Sequence, residues 1–390
     1  MLERKRLSGW WYDRRLRGWL AQAALVAAIA VACAYVAGNT VENLQRQGIA
    51  SGFAFFSSEA GFGILQSLID YDETATYGRA FLVGLLNTLL VAGVGIVLAT
   101  LIGFVMGVAR LSSNWLVARL AALYIEAVRN VPLLLQLFFW YFGVLRALPS
   151  PRDSVNLFDA VFLNIRGLYL PSVLAEPGFE WLVAAVAAGF GVAATVAWWA
   201  RRRRLRTGKP FPSLRVALSG VIGLPLLAAW ITGFPLRFEY PELSGFNFVG
   251  GLVLVPEFVA LVLALSIYTG AFIAEIARAG ILSVSRGQTE AALALGLSPR
   301  LTLRLVVIPQ ALRVIIPPLT SQYLNLTKNS SLAAAIAYPE LVSVFAGTVL
   351  NQTGQAIEVI AITMAVYLTI SLLIAGFMNF YNRRMALVER

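Results

Sequence analysis

The sequence predicts an all-α polytopic membrane protein with about eight transmembrane helices. Hydrophobic residues make up 59% of the 390 residues and charged residues only 13%, whereas ordinary soluble domains are nearer half apolar. The charged residues cluster between apolar stretches that reach the length of about 20 residues that a helix needs to cross a bilayer. Composition and spacing together exclude an ordinary soluble domain.

Eight apolar stretches are long enough to be spans. A polar loop at 39–80 follows the first one, and the fourth and fifth form a hairpin at 181–233. The other spans fall within 81–146 and 257–381. The full set of predicted spans is 19–38, 81–109, 120–146, 181–200, 214–233, 257–280, 310–330 and 357–381.

The distribution of Lys and Arg predicts which side of the membrane each loop faces. Loops after even-numbered spans and both chain ends are basic, whereas the 39–80 loop leans acidic. Because short basic loops remain in the cytoplasm, we expect the 1–18 segment and the 382–390 tail to be cytoplasmic. The net charge of +11 is therefore an orientation signal, and no nucleic-acid partner is expected.

Several kinds of chemistry lack the residues they require. The chain has one cysteine and no histidine, which excludes an intrachain disulfide and a thiolate or imidazole metal cluster. The only lysines are Lys5, Lys209 and Lys328, and none lies in a phosphate-binding loop. We therefore predict no catalytic residues, no metal site and no cofactor in this chain.

Small residues recur at every fourth position of the second span, at Gly95, Ala99, Gly103 and Gly107. This spacing places them on one helix face, where they allow a neighbouring helix to approach closely. In the predicted hairpin, Arg201–Arg204 form a basic cluster. We expect this cluster to orient the hairpin or to contact anionic lipid headgroups, in preference to a specific ligand site.

Two acid–base pairs repeat the same spacing near the ends of predicted spans. Glu126 and Arg129 lie in the third span, and Glu275 and Arg278 in the sixth. At i and i+3 each pair shares a helix face and can neutralise itself. Two interpretations remain open, an interfacial anchor for each helix end and an inner gate.

A polar run at 325–332 follows Pro317 and Pro318 and predicts a broken helix. Irregular backbone at membrane depth is tolerated where it lines a cavity or is buried in protein. Lys328 is then a candidate to attract a carboxylate. In the alternative interpretation Lys328 snorkels to the interface and the run is a turn.

The stretch from about 283 to 309 predicts an ordered loop on the basic side of the membrane. A short polar-started helix covers 288–296, with Gly296 as its stop, and Pro299 starts a second helix. An ordinary connection between helices is one interpretation. The other is a docking site, formed by Gln288, Glu290, Ala291, Ala292 and Gly296.

These residues resemble the coupling loop of ABC importer permeases. The match consists of 288–292 with Gly296, followed by Pro309–Arg313. Three flanking motifs, at 124–136, 271–278 and 328–332, are similar to those of the polar amino acid branch of that family. Together the motifs cover about 80–146 and 257–381, a core of five spans of the type I importer permease.

The resemblance implies a non-catalytic permease subunit of a bacterial inner-membrane importer for polar or general L-amino acids. It implies three kinds of partner: a dimeric ABC ATPase that carries ATP and Mg, a second permease of different sequence, and a periplasmic amino-acid-binding protein. The first span and the inserted hairpin depart from the minimal pattern. They resemble the larger permease of general L-amino acid importers, and the 39–80 loop is then periplasmic.

A substrate cavity is expected between the second, third, sixth and seventh predicted spans. Its candidate lining residues, chosen for polarity at membrane depth, are Asn87, Thr88, Gln136, Ser266, Tyr268, Gln322, Asn325 and Lys328. The alternative function is an ion-coupled secondary amino acid carrier, which has no need of a cytoplasmic docking loop. A membrane anchor or receptor without transport is the third class.

Overall fold

The computed structural model describes residues 14–46, 52–209 and 211–385. Within these ranges seven helices are long and apolar enough to cross a membrane, and an eighth span results if one bent helix pair is counted as a span. Each of the eight predicted spans overlaps such a helix or helix pair. The predicted, mainly helical membrane fold is confirmed.

The long helices are joined by short helices and turns. Irregular helical turns at Ser330–Ile336, Val342–Val349 and Leu350–Thr353 connect the last two long helices. The labelled helices are α1 (Arg14–Arg46), α2 (Tyr77–Ala109), α3 (Trp115–Asn130), α4 (Leu133–Phe138), α5 (Phe179–Thr207), α6 (Ser213–Ile231), α7 (Pro256–Leu282), α8 (Arg286–Ala294), α9 (Pro299–Thr302), α10 (Ile308–Asn329) and α11 (Ala356–Met385).

The chain divides into two compact units, Met1–Ile125 with Thr269–Arg390, and Glu126–Tyr268. In the first unit the small residues of α2 pack closely, as predicted. A Cβ added to Gly103 would lie 2.5 Å from Ile273 of α7, and one added to Gly107 would lie 2.6 Å from the carbonyl oxygen of Ala274. A side chain at either glycine would displace α7, so the contact between the two helices depends on glycine.

The helix pair α3 and α4 is bent by 106°. Pro132 precedes α4, and proline lacks an N–H and disfavours helix at the residue before it. The Nε2 of Gln136 donates to the carbonyl oxygens of Val128 and Val131, at 2.8 and 2.9 Å. The bend therefore leaves the carbonyl groups of Val128 and Val131 without partners in the helix, and the Gln136 side chain satisfies them.

The second unit carries short strands in the two connectors, 149–180 and 234–256. Hydropathy gave no sign of them, because each has only three or four residues. All the pairings are antiparallel: one sheet has the order β1–β2–β3–β8, and β4–β5 and β6–β7 are separate ladders. The strands are β1 (Val155–Leu157), β2 (Val161–Asn164), β3 (Gly167–Leu170), β4 (Ser172–Ala175), β5 (Leu236–Glu239), β6 (Glu242–Ser244), β7 (Asn247–Val249) and β8 (Leu252–Leu254).

The inserted hairpin consists of α5 and α6, and the β4–β5 ladder joins its two ends. The helices approach closely where a Cβ on Gly189 would lie 2.8 Å from the carbonyl oxygen of Gly220. In the first unit, α10 runs through Pro317 and Pro318 and ends at Asn329. The predicted break therefore lies inside the polar run, and the two prolines lie within the helix.

Candidate functional site

The 283–309 loop is built around the nine-residue helix α8. Gly296 follows it with φ of +81°, a conformation that glycine adopts without strain. The N–H of Gly296 donates to Leu293 at 2.9 Å, and the N–H of Leu297 donates to Ala292 at 3.2 Å. These bonds satisfy carbonyl groups at the end of α8, so Gly296 is the helix stop that the sequence predicts.

The second part of the loop leads directly into a membrane helix. Ser298 precedes α9, Pro299 occupies its first position, and the Ser298 hydroxyl oxygen accepts from the N–H of Leu301. A π-helical segment, Leu303–Val307, then continues into α10. The Nε2 of Gln310 donates to the Oε1 of Gln288 at 3.3 Å. This hydrogen bond connects α8 to the start of α10.

The exposed surface of α8 and of the residue that follows it differs from the predicted one at three positions. Gln288, Glu290 and Ala291 are exposed as expected, but Ala292 is only 4% exposed and packs inside the chain. The missed residues are Leu293 and Leu295, which are 45% and 83% exposed. The sequence signal that could have identified them is the presence of two leucines beside the predicted helix end, in a loop on the basic side of the membrane.

The Glu275–Arg278 pair belongs to a charged network that includes Arg110. The Glu275 carboxylate lies 2.6 Å from Arg278 Nη2 and 2.7 Å from Arg110 Nη1. All three side chains are about a quarter exposed. Because Arg110 follows the end of α2, the network links α2 to α7. A Glu275–Arg278 pair that only neutralised itself would stay within α7 and would link no other helix. The gate role of Glu126 and Arg129, which lie in the other unit, stays a prediction.

Two predicted substrate residues have a structural role in the first unit. Asn87 and Thr88 on α2 are fully buried. The Nδ2 of Asn87 donates to the carbonyl oxygens of Gln66 and Pro339, at 2.9 and 2.8 Å, and the N–H of Leu341 donates to Thr88 at 3.0 Å. Both side chains form hydrogen bonds to the backbone of the 339–341 turn. They are therefore buried and do not line a cavity.

Glu340, which was not predicted from the sequence, lies at the centre of this contact. It is fully buried, and its carboxylate accepts the N–H groups of Val342 and Ser343 at 2.9 and 2.8 Å. The Tyr367 hydroxyl on α11 donates to it at 2.9 Å. The carboxylate therefore caps the following helical segment and fixes Tyr367.

Tyr367 also lines a cavity of about 440 Å³ between the end of α10 and α11. Lys328 is exposed at this cavity, whereas Asn325 and Gln322, about one and two turns earlier on α10, are not among its lining residues. The wall combines one cation, four hydroxyl side chains and three apolar residues: Lys328, Ser331, Val342, Thr363, Met364, Tyr367, Leu368 and Ser371.

The remaining predicted substrate residues belong to the unit at 126–268. Gln136 supports the bend between α3 and α4, as described above, so its amide is engaged by the backbone. Ser266 is buried, and its hydroxyl has no hydrogen-bond partner within the described residues. Tyr268 is half-buried.

Comparison with known proteins identifies the family. The chain is 57% identical over 375 residues to the putative amino-acid ABC transporter permease YhdX of Escherichia coli K12, covering 96% of this chain and 95% of that one. It belongs to the amino-acid ABC transporter permeases. Residues 223–387 match the family described as binding-protein-dependent transport system inner membrane component, and this region includes the whole 283–309 loop.

Two further relatives match over nearly their whole length. The general L-amino acid transport system permease AapQ of Rhizobium johnstonii is 52% identical, over 97% of this chain and 94% of its own. The glutamate/glutamine/aspartate/asparagine transport system permease BztB of Rhodobacter capsulatus is 39% identical, over 99% and 97%. These three relatives therefore match this permease along nearly its whole long form, which includes the first helix and the hairpin.

The positive φ at Gly296 makes a prediction with a matched control. Gly296→Val should destabilise the end of α8 by roughly 1–3 kcal/mol, because a β-branched residue is strained in this conformation. Hydrogen–deuterium exchange of 286–302 measures the effect. Gly287→Val is the control, since neither glycine has a neighbour within 4 Å of an added Cβ and only Gly296 has positive φ. Equal protection in both variants would contradict the helix-stop role.

Proposed function

We propose that this permease imports polar or general L-amino acids across the bacterial inner membrane, driven by a separate ATPase. The 283–309 loop is its docking element. Movement of the docked ATPase would pass through α8 into α10 and give alternating access to the two sides. The observation that carries the proposal is the exposed α8 surface, with Glu290, Leu293 and Leu295, on a helix tied to a membrane span.

The chemistry of the α8 surface supports a protein partner. Exposed leucines beside a short helix provide apolar area that a cleft can bury, and Glu290 adds one charge for a partner Arg or Lys. ATP and Mg²⁺ belong on the partner in this proposal, because the chain has no phosphate-binding loop. Both termini are proposed to be cytoplasmic, from the positive-inside pattern.

The remaining partners follow from the family and its long form. Binding-protein-dependent permeases work with a binding protein and an ATPase, and we propose a periplasmic amino-acid-binding protein here. One coupling loop per chain engages one ATPase subunit, so a pair of permeases is needed for an ATPase dimer. We propose that the second permease is a different chain, as the likeness to general L-amino acid permeases suggests.

We propose the cavity beside Lys328 as the part of the substrate path that this subunit supplies. An ammonium group attracts the carboxylate that every amino acid carries, and hydroxyl groups satisfy its remaining polar atoms. The Glu340 carboxylate is a positioning group in this proposal, since its bond to the Tyr367 hydroxyl fixes the tyrosine in the cavity wall.

Glu290→Arg tests the docking role. The variant should reach the membrane normally, because Glu290 is exposed, but uptake should fall at least ten-fold as the reversed charge repels the partner. Uptake and ATP hydrolysis are measured together in proteoliposomes of the whole complex. Glu180→Arg, an exposed acid in the first turn of α5, is the matched control. Unchanged uptake in Glu290→Arg would remove this residue from the mechanism.

Lys328→Gln tests the cavity. A charge-assisted hydrogen bond contributes about 1.5–3 kcal/mol, so loss of the ammonium should raise the KM for uptake by roughly ten-fold or more. Lys328→Arg keeps the charge and should retain more of the affinity. An unchanged KM in Lys328→Gln would favour the alternative in which Lys328 serves only the membrane interface.

A further inference from the structure

The tip of the α5–α6 hairpin has a dense basic cluster, to which the proposed transport function assigns no role. No Asp or Glu occurs between 181 and 238, and within the described residues no carboxylate forms an ion pair with the cluster. The cluster, here named the basic tip, consists of Arg201, Arg202, Arg203, Arg204, Arg206, Lys209 and Arg215.

Aromatic rings hold two of these arginines. The Arg202 guanidinium lies 3.9 Å from the centre of the Trp198 ring. The Arg203 guanidinium lies 5.3 Å from Trp199 and 5.6 Å from Phe211, and these two rings meet edge to face at 5.0 Å. Arg203 thus connects α5 with the segment that leads into α6. Stacking occupies the face of a guanidinium and leaves its in-plane N–H groups available for an anion.

The position of the basic tip along the hairpin corresponds to the membrane surface. Large apolar side chains along both helices are exposed, including Phe190, Leu218 and Trp230. The apolar part of α5 before Arg201 has about 20 residues, which at about 1.5 Å per residue spans the hydrocarbon layer of about 30 Å. The basic tip therefore emerges at headgroup level, where tryptophan is also favoured.

We propose that the basic tip binds the phosphate groups of anionic phospholipids in the adjacent leaflet. Planar guanidinium groups match phosphate oxygens in a bidentate manner, and seven cations without a local carboxylate have excess charge for several headgroups. A protein surface such as the second permease could cover the apolar faces of the hairpin. It would not account for the aromatic-backed cations at the tip, which favour phosphate.

The test places the whole complex in an equimolar mixture of phosphatidylglycerol and phosphatidylcholine. Native mass spectrometry then measures the ratio of the two lipids that the complex retains, which is its lipid preference. Substituting Arg202, Arg203 and Arg206 together with Gln should lower the preference for phosphatidylglycerol about ten-fold or more, since each cation near an anionic surface contributes roughly five-fold. Substituting Arg152, Arg166 and Arg237 with Gln removes equal charge from the connectors and should leave the preference unchanged.

A second measurement avoids dependence on the folding of the triple variant. In the unmodified complex, the preference for phosphatidylglycerol should fall as salt is raised, because exposed charges are screened. A salt-independent preference, or no preference, would overturn the proposal. An unchanged lipid preference in a folded triple Gln variant would also overturn the proposal. Loss of the second permease from that variant would assign the basic tip to a protein interface instead.

Discussion

The hydrocarbon layer provides no water for polar groups, and this constraint determines how the irregular parts of the permease are built. At the bend between α3 and α4 and at the turn after α10, a side chain satisfies the backbone groups that the regular helix would have paired. Gln136 binds the carbonyl groups at the bend between α3 and α4. Glu340 caps the segment after the break in α10, and Asn87 and Thr88 hold the turn before that segment. These polar residues at membrane depth are therefore primarily structural.

In the first unit, the helices that lead into and out of the 283–309 loop are held together by packing and by charge. Gly103 and Gly107 allow α2 to contact the backbone of α7, and Arg110 at the end of α2 binds Glu275 on α7. Gly280 gives α7 an equally close contact with Ile315 of α10. Helices α7 and α10 are the two that enclose the 283–309 loop, so a displacement of α8 acts on an already packed group of helices.

Local patterns predicted much of this arrangement, and contacts between distant segments account for what they missed. Apolar length predicted the spans, and glycine spacing predicted the α2 contact. Gly296 was recognisable as a stop because only local backbone geometry is involved. Polarity alone could not distinguish Asn87, which binds a carbonyl 252 residues away, from Lys328, which lines the cavity. Arg110 was missed because its partner Glu275 is 165 residues away in sequence. Glu340 was missed because its burial depends on packing against α2 and on Tyr367 of α11. The strands are too short to alter hydropathy.

The most direct test of the central claim is whether the 283–309 loop contacts the ATPase. In a Cys33→Ala background, Leu295→Cys places one thiol at the 83% exposed leucine after α8, and Leu65→Cys places one at a 78% exposed leucine in the loop before α2. A short thiol–amine cross-linker, applied to the assembled complex, should join the chain to the ATPase from position 295 and not from position 65. Cross-linking from neither position, or equally from both, would contradict the docking role of this loop.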